Sequence, residues 1–280
     1  MVKSAEGRRR GGAEDAGEAP INPMEILNDW WEAVVVTATA LAGAPLRLCG
    51  IKTAKLKRGQ LAASVRGFPV VGLAFGLIAA VVYIFAEALG LPPLIGALLT
   101  IATLSFLGGA GSESGIARVA DALIAGGSKT QQLARLKEEA FGGYGTIVLV
   151  VCLGLRVGAL ASIENTGAVM AALAAALSAS WAAVALVLYY LPPAKRSGFA
   201  HAAGRPSLDQ AVLAALMAAA LALLVLGPVA AVVALAIGAL GAFKFAWLAK
   251  RNFGGTTGDV LGAVQQGAEI GVLLAIVALA

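Results

Sequence analysis

Seven stretches of this chain are nearly free of charged residues, and each approaches the length that a helix needs to cross a bilayer, about 20 residues. They span residues 69–90, 93–111, 145–163, 167–191, 208–226, 229–249 and 260–280. Of the 280 residues, 59% are hydrophobic and 13% are charged, which exceeds the apolar content that a soluble domain needs. We therefore predict an all-α, polytopic integral membrane helical bundle with about seven transmembrane helices.

The N-terminal region precedes these stretches and divides into two parts. Residues 1–22 combine three consecutive arginines with Gly, Ala and acidic residues, a composition that cannot bury enough apolar surface to fold. We predict that residues 1–29 form a disordered cytosolic tail and that residues 30–280 form the membrane-embedded domain. The segment 30–48 is apolar but contains a glycine and a proline, so it either spans the membrane, lies in the interface or re-enters.

Basic residues occur in alternate connections between the apolar stretches. The turns at 91–93, 162–166 and 227–228 contain no Lys or Arg, whereas the other connections do. By the positive-inside rule, the basic connections lie in the cytosol and the C-terminus lies outside. This topology and anionic lipid headgroups account for the net charge of +5, so we predict no nucleic-acid partner. The two cysteines, Cys49 and Cys152, match no metal-ligand spacing.

The residues suited to chemistry lie in three cytosolic connections, 112–144, 192–207 and 250–259. Asp259 is the clearest of them, because a carboxylate at the head of an apolar helix is costly unless water, a cation or a ligand attends it. Carboxylates from two connections can share a divalent cation, and the basic connection can hold phosphate oxygens. The sequence therefore favours a phosphorylated, soluble substrate that reacts at the membrane surface.

Three segments carry a resemblance to a known family. FPVVGLAFG at 68–76 is similar to an early Pro-x-x-Gly-x-x-x-Gly helix, LKEEAFGGYG at 136–145 to a central segment, and GGTTGDVLGAVQQGAE at 254–269 to a C-terminal signature. In order and spacing they resemble the cobalamin synthase family of adenosylcobinamide-GDP ribazoletransferases. The resemblance implies a multi-pass transferase of the cell inner membrane with a cytosolic active face. Its substrates would be adenosylcobinamide-GDP and α-ribazole or its phosphate, with GMP released and Mg²⁺ as cofactor. Membrane lipid and a homo-oligomer are further expected partners.

The acidic segment of this family is altered here. The family's HEDGLADTADG corresponds to SESGIARVADA at 112–122, in which Glu113 and Asp121 match and Arg118 replaces an aspartate. Two hypotheses keep an active enzyme: acids from other segments supply replacement metal ligands, or Arg118 pairs with phosphate oxygens. The alternative is a catalytically impaired homologue that acts as a binding or scaffold subunit in the membrane.

The resemblance and the charges together assign candidate roles, since phosphotransfer needs positioning and charge neutralisation more than covalent help. The predicted metal ligands are Glu113, Asp121, Glu138 and Asp259, with Glu139 as a further acid beside them. The predicted catalytic residues are Asp259, Lys137 and Arg196. The predicted substrate-binding residues are Arg118, Lys195, Arg156 and Thr257. Arg156 has a second interpretation, because an unpaired cation in an apolar stretch is costly: it pairs with an acid such as Glu269 inside the bundle.

Overall fold

The computed structural model describes residues 23–42, 50, 59–138 and 140–280, and it is built from α-helices. The helices are Pro23–Leu41 (α1), Gln60–Ala63 (α2), Phe68–Ala88 (α3), Pro93–Leu107 (α4), Gly111–Ala125 (α5), Lys129–Arg135 (α6), Gly143–Ala161 (α7), Thr166–Tyr190 (α8), Phe199–Ala203 (α9), Leu208–Leu226 (α10), Pro228–Asn252 (α11) and Gly258–Leu279 (α12). Within the described residues, the β-type pairing is limited to an isolated bridge between Pro193 and Thr256. The predicted all-α bundle is confirmed.

Of the described helices, six are long and apolar enough to cross a membrane: α3 with the 3₁₀ turn before it, α7, α8, α10, α11 and α12. The predicted span 93–111 is instead broken, because α4 has 15 residues and α5 leaves it at an angle of 87°. The break lies in a glycine-rich segment where Gly109 and Ala110 have positive φ angles of 60° and 53°. The bent pair is one broken span or a re-entrant segment, which gives six or seven spans in the described chain.

The predicted loop 112–144 is mostly helical, because it contains α5 and α6. Polar residues interrupt the apolar pattern of α5 and give it the hydropathy of a loop. Its buried residues Ile116, Val119 and Ala122 nevertheless recur at helical spacing, and this buried face packs against α7 and α12. Helix α6 begins at a capping box in which the Ser128 hydroxyl accepts a hydrogen bond from the Gln131 backbone N–H.

Helix α1 begins at Pro23, so residues 23–29, which the composition assigned to the disordered tail, are helical. Residues 1–22 lie outside the described residues. Helix α1 is not among the helices that are long and apolar enough to cross a membrane. The described part of the 30–48 segment therefore adds no eighth span.

Helices α8 and α12 form the centre of the bundle. In their most apolar stretches 72% and 67% of the residues are buried, against 22% in both α10 and α11. Helix α3 approaches α8 through two glycines: a Cβ on Gly72 would lie 2.5 Å from the Leu177 carbonyl oxygen, and one on Gly76 would lie 2.7 Å from that of Leu173. The Pro-x-x-Gly-x-x-x-Gly segment thus brings two backbones into contact, as small residues do in membrane bundles.

Candidate active site

A cleft of about 490 Å³ opens where the N-terminal ends of α5 and α12 meet the connection between α8 and α9. Its polar lining includes Ser112, Ser114, Arg118, Lys137, Lys195, Ser197, Thr257 and Asp259. Five of these were predicted as site residues from sequence: Arg118, Lys137, Lys195, Thr257 and Asp259. The fold therefore gathers residues of three distant connections around one space.

An ion pair between Arg118 and Asp259 joins two walls of the cleft. The Arg118 Nη1 atom donates a hydrogen bond to Asp259 Oδ1 at 3.2 Å, although the two residues are 141 positions apart. Both side chains remain partly accessible, at 30% and 22% exposure. The buried Nε atom of Arg118 has no hydrogen-bond partner among the described residues. The guanidinium group thus keeps donor capacity for an anionic ligand.

Two glycines make this ion pair possible by letting α5 and α12 touch. A Cβ on Gly115 would lie 2.6 Å from the backbone oxygen of Asp259, and one on Gly262 would lie 2.9 Å from the Cα of Ser112. Real Cβ atoms do not occupy such positions, so any larger residue would separate the helices. The glycines in the SESG and GDVLG segments therefore position the two charged side chains.

The GGTTGD turn holds Asp259 in place through neighbouring residues. The Thr256 N–H donates to the Pro192 carbonyl, and the Ala194 N–H donates to the Thr256 carbonyl, both at 2.8 Å. The Thr257 hydroxyl accepts a hydrogen bond from the Val260 N–H at 3.2 Å, so Thr257 is the N-cap of α12. Because Thr257 caps the helix, the Asp259 carboxylate is left to pair with Arg118 and to face the cleft.

Two lysines complete the basic wall of the cleft. Lys195 Nζ donates a hydrogen bond to the Leu133 carbonyl at 2.7 Å. Burial lowers the pKa of the Lys195 ammonium from its usual 10.5, the positive charge of Lys137 lowers the pKa further, and Asp259 opposes both effects. Arg118, Lys137 and Lys195 together place three positive charges against the one negative charge of Asp259. A lining with this excess of positive charge suits phosphate oxygens.

The lowered pKa of Lys195 predicts a pH dependence of anion binding. The protonated ammonium attracts phosphate, so its contribution to affinity is lost as pH rises through a pKa below 10.5. We expect the affinity for pyrophosphate to fall at alkaline pH, and Lys195→Arg to move that fall to higher pH because arginine stays charged. Titration calorimetry across pH measures both. Lys250→Arg is the control, and identical pH profiles for Lys195→Arg and the unaltered protein would contradict the assignment.

Glu113, predicted as a metal ligand, belongs instead to a buried charge network below the cleft. Its Oε1 atom accepts hydrogen bonds from Arg156 Nη1 and from the Ser105 hydroxyl, both at 2.8 Å. Arg156 also donates from Nε to Glu269 Oε1 at 2.8 Å. Arg156 is 2% exposed and Glu269 is fully buried. The prediction that Arg156 pairs with Glu269 is confirmed. Arg156 does not line the cleft, so the structure gives no support to its assignment to substrate binding.

Asp121, also predicted as a metal ligand, caps helix α7. Its two carboxylate oxygens accept hydrogen bonds from the backbone N–H groups of Gly142 and Gly145, each at 2.7 Å. A Cβ on either glycine would collide with the carboxylate. The FGGYG segment thus joins the start of α7 to α5 through Asp121. Both carboxylate oxygens of Asp121 already accept a hydrogen bond from this backbone.

Two remaining candidates are not part of the cleft lining in the described structure, and a third lies outside it. Arg196 and Glu138 are exposed and are absent from its lining, so their assignments as catalytic residue and metal ligand stay predictions. Glu139 lies outside the described residues. Among the described residues, no group of three or more His, Cys, Asp or Glu side chains is arranged to hold a metal ion. The described residues therefore do not fit the predicted four-carboxylate magnesium site, and the guanidinium of Arg118 stands beside Asp259.

The apolar lining of the cleft was missed in the sequence. It consists of Ala40, Leu41, Phe68, Trp181, Val184, Phe199, Ala200 and Leu261. These residues lie in or beside apolar stretches, where an aromatic side chain gives no signal that separates a ligand contact from a lipid contact. Ser112 and Ser114 were also missed as lining residues. They replace the His and Asp of the family segment, and the sequence comparison treated them only as lost functional groups.

The helical bundle, with its cationic cleft at one end of the helices, defines the class of polytopic membrane proteins. A family model described as cobalamin-5-phosphate synthase matches residues 34–277. The chain therefore belongs to the cobalamin-5-phosphate synthase family.

Relatives named adenosylcobinamide-GDP ribazoletransferase resemble the chain over most of its length. The relative from Azorhizobium caulinodans is 42% identical over 214 residues, covering 74% of this chain and 81% of the relative. The relative from Bradyrhizobium diazoefficiens is 38% identical over 216 residues, with coverage of 77% and 83%. The relative from Sinorhizobium medicae is 33% identical over 261 residues, with coverage of 89% and 97%. No solved structure gives a significant match.

Proposed function

We propose that this protein is an adenosylcobinamide-GDP ribazoletransferase, an enzyme that joins adenosylcobinamide-GDP and α-ribazole or its phosphate. The observation that carries the proposal is the Arg118–Asp259 pair, which sets a carboxylate beside three cations in a cleft of about 490 Å³. The names of the relatives supply the substrates. No feature of the described cleft favours a scaffold that only binds.

The chemistry needs one bond to form and one to break. A ribose hydroxyl oxygen of α-ribazole bonds to the phosphorus attached to cobinamide, the bond from that phosphorus to the oxygen of GMP breaks, and GMP leaves. The hydroxyl proton passes to the Asp259 carboxylate, which acts as general base. Lys137 and Lys195 hold the phosphate oxygens and neutralise the charge that develops on them.

Arg118 supports this reaction from the position where the family has an aspartate. Its guanidinium contacts Asp259 Oδ1 at 3.2 Å, and the side chain is 30% exposed, so its accessible N–H groups can bind a phosphate oxygen. Arg118 thereby supplies positive charge to the diphosphate and orients the carboxylate. Dependence on Mg²⁺ stays a prediction of the family resemblance, and no step is assigned to the ion. Contacts with specific lipids and a homo-oligomer also stay predictions.

We propose further that the cleft faces the cytosol from the cell inner membrane. The connections that form the cleft carry Lys137, Lys195 and Arg196, and the connections at the opposite helix ends lack Lys and Arg. Both substrates are soluble and phosphorylated or polar, so they would reach the cleft from the cytosol without crossing the bilayer.

The test is an assay of the purified protein with adenosylcobinamide-GDP and α-ribazole, with and without Mg²⁺. We expect one GMP released for each cobalamin formed. In sealed vesicles, inside-out preparations should turn over added substrate and right-side-out preparations should not. Binding of both substrates without GMP release would overturn the enzyme proposal and favour the scaffold alternative. Turnover confined to right-side-out vesicles would overturn the orientation alone.

A further inference from the structure

The cleft lining combines two chemically different sets of residues. Arg118, Lys137, Lys195 and Asp259 carry the charges, and we call them the charged end. Ala40, Leu41, Phe68, Trp181, Val184 and Leu261 are apolar, and we call these six residues the aromatic end; Phe199 and Ala200 are further apolar lining residues. Trp181 supplies the one polar side-chain atom of the aromatic end, its indole N–H. A ligand that fills the cleft must therefore have an anionic or polar part and an apolar part.

The aromatic end is held rigidly by packing. The rings of Phe68 and Trp181 meet edge to face, with centroids 5.9 Å apart and planes at 88°. Phe68 is 1% exposed, whereas Trp181 is only partly buried and lines the open space. A Cβ on Gly72 would lie 2.9 Å from Trp181 Cδ1, so α3 supports the indole from behind. The indole is thus a preformed surface for a flat ring.

We propose that the aromatic end binds the benzimidazole base of α-ribazole, with the base stacked on Trp181. This inference rests on the proposed function. Leu261 and Asp259 both line the cleft from the start of α12. A base seated against Leu261 and Trp181 therefore places its own ribose near the carboxylate that takes the hydroxyl proton.

The other flat ring among the substrates, the guanine of adenosylcobinamide-GDP, suits this end less well. Guanine carries donors and acceptors around its edge, and burying them without partners costs free energy. Among the side chains of the aromatic end, the Trp181 indole N–H is the single hydrogen-bond donor, and the only acceptors are the weak π faces of the aromatic rings. The carbon edge of benzimidazole needs no such partners, so the aromatic end selects the nucleoside acceptor rather than the leaving nucleotide.

The test is to measure how Trp181→Ala changes KM for each of the two substrates. We expect Trp181→Ala to raise KM for α-ribazole about 10-fold or more, the equivalent of about 1.4 kcal/mol, from lost stacking. KM for adenosylcobinamide-GDP should stay within about twofold, and Trp181→Phe should retain most of the affinity for α-ribazole because a ring remains. Trp247→Ala is the matched control, because Trp247 is 48% exposed and lies outside the cleft lining.

A binding measurement on the unaltered protein keeps the inference independent of folding and of turnover. Titration calorimetry without adenosylcobinamide-GDP should show α-ribazole binding about 10-fold more tightly than adenosine, whose base has a polar edge. Equal affinities, or an equal rise of both KM values in Trp181→Ala, would overturn the base site while leaving the transferase proposal intact. Absence of turnover together with selective α-ribazole binding would overturn the transferase proposal and keep the base site.

Discussion

Replacing Asp259 with Asn is expected to lower kcat roughly 100- to 10,000-fold, the range typical for loss of a general base. The amide keeps the size of the side chain and can still accept a hydrogen bond from Arg118, but it cannot take the hydroxyl proton. KM for both substrates should change much less than kcat, because the cationic wall of the cleft is intact. Steady-state assays of GMP release measure these constants.

The control for Asp259→Asn is Asp209→Asn, which makes the same change in the first turn of another helix. Asp209 is exposed and lies outside the cleft lining, so this variant should keep full activity. If Asp259→Asn retained more than half of the activity, Asp259 would not be the proton acceptor. The pair with Arg118 would then serve only to hold α5 against α12.

Replacing Arg156 with Met is expected to destabilise the protein by about 3–5 kcal/mol, the cost of breaking a buried ion pair from one side. Glu113 and Glu269 would be left without their shared cation, and both lie in the interior with 8% and 0% exposure. Unfolding of the detergent-solubilised protein by heat or denaturant measures the loss.

A triple variant separates the effect of charge from the effect of packing. Arg156→Met combined with Glu113→Gln and Glu269→Gln removes all three charges, so it should recover most of the lost stability. Lys250→Met, which removes an exposed cation, should change stability little. If the triple variant were as unstable as Arg156→Met alone, the network would act through packing rather than through charge.

The gathering of charged residues at one end of the bundle was predictable from sequence. Asp259 and Lys195 are conspicuous because they interrupt or adjoin long apolar stretches, and the positive-inside rule places their connections on one side of the membrane. The pairing of Arg156 with Glu269 was predictable for a related reason, since a charge inside an apolar stretch needs a partner and few acids are available there.

The roles of the acidic residues in the 112–122 segment were not predictable in the same way. Asp121 accepts hydrogen bonds from backbone N–H groups, which every residue carries, so the sequence has no signal for that contact. Glu113 was assigned to a loop, whereas α5 turns it into the bundle toward Arg156. The 87° bend that causes this turn was visible only as a group of glycines within an apolar stretch. Hydropathy averages over such a group and therefore predicts a straight span.

The buried network also sets an order for the insertion of this protein during synthesis. Glu113 precedes Arg156 by 43 residues, and Glu269 follows Arg156 by 113 residues. At a ribosomal rate of about 5–20 residues per second, roughly 6 to 23 s pass between the appearance of Arg156 and that of Glu269. The guanidinium therefore enters the membrane with Glu113 as its first counterion. Helix α12 then brings the second acid to a cation that already has one partner.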